Sequence, residues 1–91
     1  MVIKMVKKNK DRPISILRGV VLPSRWDKDG KVMRISLNTQ DENEYIIENS
    51  GRGEELLNYL RELIEIEGKV LQQNSGALYV KVNDYSLINE R

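Results

Sequence analysis

Aliphatic residues recur at every second position along much of this chain, and that alternation limits the possible folds more than any other feature. In Lys31–Thr39, written KVMRISLNT, it predicts a strand with Met33, Ile35 and Leu37 on its inner face. Two later segments repeat the alternation, Ile64–Leu71 (IEIEGKVL) and Ala77–Val82 (ALYVKV). The chain is therefore expected to be mainly β.

The first apolar segment, Ile14–Trp26, reads ISILRGVVLPSRW and is too long for one straight strand. Gly19 lies at its centre and predicts a bend or bulge, where a strand turns a corner between two sheets. Pro23 predicts either the end of regular pairing or an edge position. The DKDG sequence of Asp27–Gly30 then predicts a tight hairpin turn.

The period changes once, from two to about 3.6, after a third strand at Tyr45–Asn49. This change predicts an α-helix from Glu54 to Leu63, with the early glutamates near the positive end of its dipole. Its apolar stripe is expected to consist of Leu56, Leu57, Leu60 and Leu63. After the last strand, residues 83–91 are interpreted as an irregular tail whose Tyr85, Leu87 and Ile88 could cover a barrel end.

The order of these elements resembles the OB-fold, a five-stranded Greek-key barrel with a helix between strands 3 and 4. The resemblance depends on LRGVVLPSRWD in the first strand, GEELLNYL in the helix and IEIEGKVLQQNSGALYVKV in the closing hairpin. It covers nearly all of residues 13–91, the expected single barrel domain, and residues 1–12 are expected to form a basic N-terminal arm. An open α+β sheet with the helix across one face is the alternative topology.

Composition restricts the chemistry more than the fold. The chain contains neither Cys nor His, so disulfides, thiolate nucleophiles, sulfur-bound zinc and histidine general bases are excluded. The carboxylate pairs Glu54–Glu55 and Glu65–Glu67 fit helix-end electrostatics and a solvent-facing strand better than catalysis. We therefore expect a binding module and no enzyme, with no cofactor and no metal. The acidic turn of Asp41, Glu42 and Glu44 leaves weak metal binding as a distant alternative.

Charge is unevenly distributed, although the net charge is only +1. Residues 1–40 carry +7 and residues 41–91 carry −6, which raises the expectation that one face meets a polyanion. No apolar run at the N-terminus is long enough for a signal peptide or a membrane span, so a cytoplasmic location without membrane association is expected.

The candidate binding residues follow from the OB-fold resemblance, because such domains bind ligands across strands 2 and 3, between the loops that join strands 1–2 and 4–5. The second of these loops is Gln72–Gly76. Aromatic rings would stack bases while cations hold phosphates. The candidates are Arg25, Trp26, Lys28, Lys31 and Arg34, with Tyr79 and Lys81 as auxiliaries. The expected ligand is single-stranded DNA or RNA, bound weakly because of the acidic second half.

Two other interpretations remain open at this point. Trp26 could cap the barrel rim while the lysines merely keep the hairpin soluble. Alternatively, the chain could be an adaptor that binds a basic protein partner through an acidic face formed by Glu48, Glu65 and Glu67. Gly51–Gly53 faintly suggests an anion site before the helix, but a turn is the preferred interpretation because glutamates follow it.

Overall fold

The computed structural model describes residues 14–88, which form five strands and one 3₁₀ helix. The predicted basic arm, residues 1–12, lies outside the described residues. The elements are β1 (Ile14–Trp26), β2 (Val32–Thr39), β3 (Glu44–Ile47), the 3₁₀ helix (Gly51–Tyr59), β4 (Leu63–Gln72) and β5 (Leu78–Leu87).

The strands close into a barrel in the order β1-β2-β3-β5-β4. All neighbouring pairs are antiparallel except β3 and β5, which run parallel. The long β1 makes closure possible, since it pairs with β2 through Gly19–Trp26 and with β4 through Ile14–Val20. The mainly β fold with an OB-like five-stranded barrel is thus confirmed, and the open sheet is not formed.

Aliphatic side chains fill the barrel, as the absence of Phe requires. Every strand and the helix contribute to the core, which consists of Val21, Ile35, Leu37, Ile47, Leu56, Ile64, Ile66, Val80 and Val82. Ser36 is the one buried polar side chain among the described residues, and the Asn38 amide donates a hydrogen bond of 3.0 Å to its hydroxyl. The core therefore contains no unsatisfied polar side chain within residues 14–88.

Gly19 and Pro23 occupy the positions that their chemistry predicts. Gly19 pairs with β2 on one side and β4 on the other, and a Cβ there would collide with the carbonyl oxygen of Asn38. Pro23 lies beyond Val20, where pairing with β4 ends, so its missing N–H removes no ladder bond on that side. The pairing with β2 becomes irregular immediately after Pro23.

The helix differs from the prediction in type and position, because it is a 3₁₀ helix at Gly51–Tyr59 and not an α-helix at 54–63. Three residues per turn place positions i and i+3 directly above each other. Gly53, Leu56 and Tyr59 accordingly face the barrel, whereas Leu57, predicted to be in the apolar stripe, is 41% exposed. No helix within residues 14–88 has both the length and the hydrophobicity that crossing a bilayer requires.

Irregular pairing also overturns the predicted inner face of β2. Between Pro23↔Ile35 and Trp26↔Val32 the register shifts twice, once on each strand. Val32 therefore packs against the core together with Ile35, and Met33 is 56% exposed. A bulge changes which side of the sheet the following residues face, so strict alternation fails here.

The predicted irregular tail is wrong for residues 83–87, since β5 continues to Leu87 and pairs with β4 as far as Ile64↔Leu87. Asn83 has no partner at the register shift next to Gly68. The shift changes the alternation of β5, and Tyr85 packs against the core.

Candidate functional site

The turn between β1 and β2 is held by one aspartate. The Asp27 carboxylate accepts hydrogen bonds from the backbone N–H groups of Asp29, at 2.8 Å, and Lys31, at 2.9 Å. Gly30 has a φ of +85°, which glycine adopts without strain. These bonds fix the backbone on both sides of the turn, and with it the positions of Trp26 and Lys31.

Two arginines face each other where β1 meets this turn. Arg25 and Arg34 are direct partners in the β1–β2 ladder, an arrangement in which like charges repel. Beside them Trp26, the only tryptophan of the chain, is 54% exposed. Arg25, Trp26, Asp27, Met33 and Arg34 line a cleft of about 300 Å³.

A larger groove of about 820 Å³ adjoins this cleft, because Met33 and Arg34 line both. It lies between the hairpin and the 3₁₀ helix and crosses the ends of β2 and β3. Tyr79 on β5 also lines it and is the direct ladder partner of Ile46 on β3. The side chains that the groove exposes include Lys31, Met33, Arg34, Ile46, Glu48, Glu54, Leu57, Gln73 and Tyr79.

The cations at this site form no ion pair with a carboxylate of residues 14–88. Three ion pairs occur within residues 14–88, namely Arg18–Glu65, Arg52–Glu55 and Arg52–Asp84. None of them involves Arg25, Lys31 or Arg34. These three charges are therefore available to an anionic ligand.

The structure brings together five of the seven residues that the sequence analysis selected. Arg25, Trp26, Lys31, Arg34 and Tyr79 line the cleft or the groove. Lys28 is exposed in the turn and Lys81 is exposed on β5, but neither lines these cavities. Lys81 instead lies directly opposite Lys69 on β4, a second pair of like charges.

Three apolar residues of the groove were missed by sequence reasoning. Met33 and Leu57 were assigned to apolar inner faces, and Ile46 was assigned only to the third strand. Nothing in the local pattern marks the bulge that exposes Met33. The three-residue spacing of Gly53, Leu56 and Tyr59 in the sequence fits one face of a 3₁₀ helix. That spacing was the signal that would have placed Leu57 outside this face.

Arg52 lies in the segment for which a turn or an anion site was considered from the sequence. In the structure its side chain connects the 3₁₀ helix to β5. Its guanidinium donates to Asp84 at 2.9 Å and to Glu55 at 3.3 Å, and it lies 5.0 Å from the centre of the Tyr85 ring. The Tyr85 hydroxyl donates to Glu55 at 2.8 Å, and its ring packs against Tyr59. Arg52 is thus engaged in structural contacts within the described residues.

Hydrogen bonds lower the pKa of two carboxylates, Glu55 and Asp41. The hydrogen bond from Tyr85, assisted by Arg52, lowers the pKa of Glu55, and the same bond raises the pKa of the Tyr85 hydroxyl. A general acid working at neutral pH needs a shift in the opposite direction to that of Glu55. In the acidic turn, the Thr39 hydroxyl lowers the pKa of Asp41, and residues 14–88 contain no group of three carboxylates placed to hold a metal ion.

The three carboxylates of the expected acidic face lie in different parts of the barrel. Glu65 and Glu67 lie on β4, where Glu65 accepts the 2.8 Å ion pair from Arg18. Glu48 follows β3 and lines the groove. Because β5 lies between β3 and β4, one strand separates Glu48 from Glu65 and Glu67.

Comparisons of the chain with protein-family models, curated proteins and solved structures found no match. The functional argument therefore depends on the site itself.

Proposed function

We propose that this protein is a small single-strand nucleic-acid-binding module that binds and does not catalyse. The observation that carries the proposal is the Arg25–Arg34 pair beside the exposed Trp26. Two guanidinium groups opposite each other repel, and a phosphate between them would relieve that repulsion. The indole supplies a flat face on which a base can stack.

The groove next to this arginine pair provides a surface along which a short nucleic-acid strand can bind. The exposed side chains of Met33 and Leu57 and the half-buried Ile46 provide apolar surface for bases next to Lys31 and Arg34. Tyr79 on β5 adds a second aromatic ring to the lining of the groove. A duplex keeps its bases stacked inside and cannot use these surfaces, so the site favours single strands.

Binding should be weak and strongly dependent on salt. Three cations, Arg25, Lys31 and Arg34, correspond to a salt slope of about −2 for a single strand. The affinity should therefore fall about 20-fold between 50 and 200 mM salt. The acidic side chains Glu48 and Glu54 in the same groove limit the number of phosphates that it accepts.

The test uses Trp26 as an internal reporter. Titration with a single-stranded oligonucleotide should quench its fluorescence with micromolar affinity, and the matching duplex should quench it less. Trp26→Leu, followed by anisotropy of a labelled oligonucleotide, should weaken binding about 5- to 150-fold, the range measured for loss of one stacked base. Arg18→Gln, outside the groove, is the matched control and should bind normally.

The proposal fails if labelled single strands do not bind at low salt, or if they bind equally at both salt concentrations. It also fails if Trp26→Leu and the wild type have the same affinity. In that case the indole would serve the barrel rim alone.

A further inference from the structure

The two ends of the groove carry opposite charges. Lys31 and Arg34 line the end next to the hairpin, whereas Glu48 and Glu54 line the end next to the helix. Apolar side chains, among them Ile46 and Leu57, lie in the same groove. A site that served only to attract phosphates would gain nothing from two carboxylates.

Backbone packing holds the two residues that carry these carboxylates near each other in the fold. The Glu48 N–H donates to the Val80 carbonyl at 3.0 Å, which fixes Glu48 against β5. Gly53 packs so closely on the carbonyl of Glu48 that a Cβ would collide with it. Glu54, the next residue, is therefore positioned beside Glu48 at the start of the helix.

Neither carboxylate has a partner among the described residues. The three ion pairs within residues 14–88 do not involve them. The side-chain hydrogen bonds found in this part of the chain do not involve them either. Their oxygens are free to accept hydrogen bonds from a ligand that lies in the groove.

The chemistry of the bases determines which ligand fits. Carboxylates repel phosphates, so a bound strand must place its backbone at the Lys31 and Arg34 end and direct its bases towards the helix. An ionised carboxylate only accepts hydrogen bonds. Guanine presents two adjacent N–H donors, N1–H and the N2 amino group, which match the two oxygens of one carboxylate. Thymine and uracil present one N–H between two carbonyl acceptors, which a carboxylate repels.

We infer that Glu48 and Glu54 read base edges and make the groove selective for guanine-containing single strands. This inference rests on the proposed function, since it concerns the same groove. It assigns specificity to the acidic end and affinity to the basic end.

The experiment compares three labelled oligonucleotides that differ at one central position, which is thymine, guanine or hypoxanthine (inosine) in an otherwise all-thymine strand. Inosine is the sharpest comparison, because it lacks the N2 amino group and retains the rest of the guanine ring. The guanine strand should bind at least about fivefold more tightly than either of the others, as expected for one bidentate base contact. The full chain is used throughout.

The variants Glu48→Gln and Glu54→Gln distinguish recognition of the base edge by a carboxylate from simple repulsion of the phosphates. At least one of them should abolish the preference for guanine over inosine. Glu44→Gln, on an exposed residue that does not line the groove, should keep the preference.

Three outcomes would overturn the inference. If all strands bind alike, the groove binds nucleic acid without reading bases, and the proposed function survives alone. If both glutamine variants bind every strand more tightly by the same factor and keep any preference, the carboxylates only repel phosphates. If no strand binds, the proposed function is wrong, and the inference falls with it.

Discussion

Arg25 and Arg34 illustrate how function and folding place different demands on single residues. They are direct ladder partners with no carboxylate partner among residues 14–88. Arg18, further along the same strand, instead faces Glu65 and forms an ion pair at 2.8 Å. The contrast within one strand supports the proposal that the arginine pair serves binding and not the stability of the barrel.

Replacing Arg34 should therefore improve stability and weaken binding. We expect Arg34→Gln to raise the free energy of unfolding by up to about 1 kcal/mol, because it removes a like-charge contact. The same change should reduce the salt slope for oligonucleotide binding by about 0.7, the contribution of one phosphate contact. Urea denaturation and anisotropy titrations at several salt concentrations measure the two effects.

Arg18→Gln is the matched control for this prediction. It should leave oligonucleotide affinity unchanged and lower stability slightly, by less than about 1 kcal/mol, since exposed ion pairs contribute little. If Arg34→Gln lowered stability and left affinity unchanged, Arg34 would serve the fold and not the ligand.

At the scale of the element, the 3₁₀ helix has three distinct sides. Gly53, Leu56 and Tyr59 close the barrel, Leu57 and Glu54 line the groove, and Arg52 and Glu55 connect the helix to β5. Three residues per turn make this division possible in only nine residues. The helix thus links the barrel core directly to the wall of the site.

Adjacent leucines should consequently respond in opposite ways to truncation. Leu56 is fully buried, so Leu56→Ala should lower the free energy of unfolding by about 2–5 kcal/mol. Leu57→Ala should cost less than about 1 kcal/mol, because 41% of the residue is exposed, but it should weaken oligonucleotide binding. Thermal melts and fluorescence titrations of both variants test this. Equal losses of stability would mean that the helix has the α-helical phase predicted from the sequence.

The contacts between the helix and β5 should make stability depend on pH in the acid range. The Tyr85 hydrogen bond lowers the folded-state pKa of Glu55, so its contribution to stability is fully present above the ordinary glutamate pKa. It is lost as the pH falls through the lowered folded pKa. The difference in unfolding midpoint between wild type and Tyr85→Phe should thus be largest near neutral pH and shrink in strong acid.

Tyr45→Phe is the control for this series, because the Tyr45 hydroxyl takes part in none of the side-chain hydrogen bonds found within residues 14–88. Its stability difference from wild type should not change with pH over the same range. A Tyr85→Phe difference that stayed constant down to strong acid would rule out the role assigned to Glu55.

At the scale of the whole molecule, closure around one core should make unfolding a single cooperative transition. Trp26 reports on the hairpin rim and far-ultraviolet circular dichroism reports on all strands. The two signals should give the same urea midpoint, as two-state unfolding requires. A Trp26 transition at lower urea would show that the hairpin unfolds separately from the barrel.

Sequence reasoning located the strands because these depend on local apolar patterns, as in β1, whose bounds match the predicted apolar segment. The barrel was expected because the order of the elements resembles the OB-fold. It failed where pairing between distant residues decides the outcome. The exposure of Met33 depends on register shifts between β1 and β2, and the extension of β5 to Leu87 depends on its pairing with β4. The same limit applied to the candidate site, where the cluster around Trp26 was predicted but the groove-lining position of Leu57 was not.

The pairing of β1 with β4 also has a consequence for biosynthesis. The two partners Ile14 and Lys69 are far apart in the chain, and β3 cannot pair with β5 until Leu78–Leu87 has been synthesised. As the polypeptide leaves the ribosome, β1, β2 and β3 can form only a sheet with two open edges. Nascent chains halted before β5 should therefore be prone to aggregation or to binding by chaperones. Chaperones should dissociate only after β5 has been synthesised and has closed the barrel.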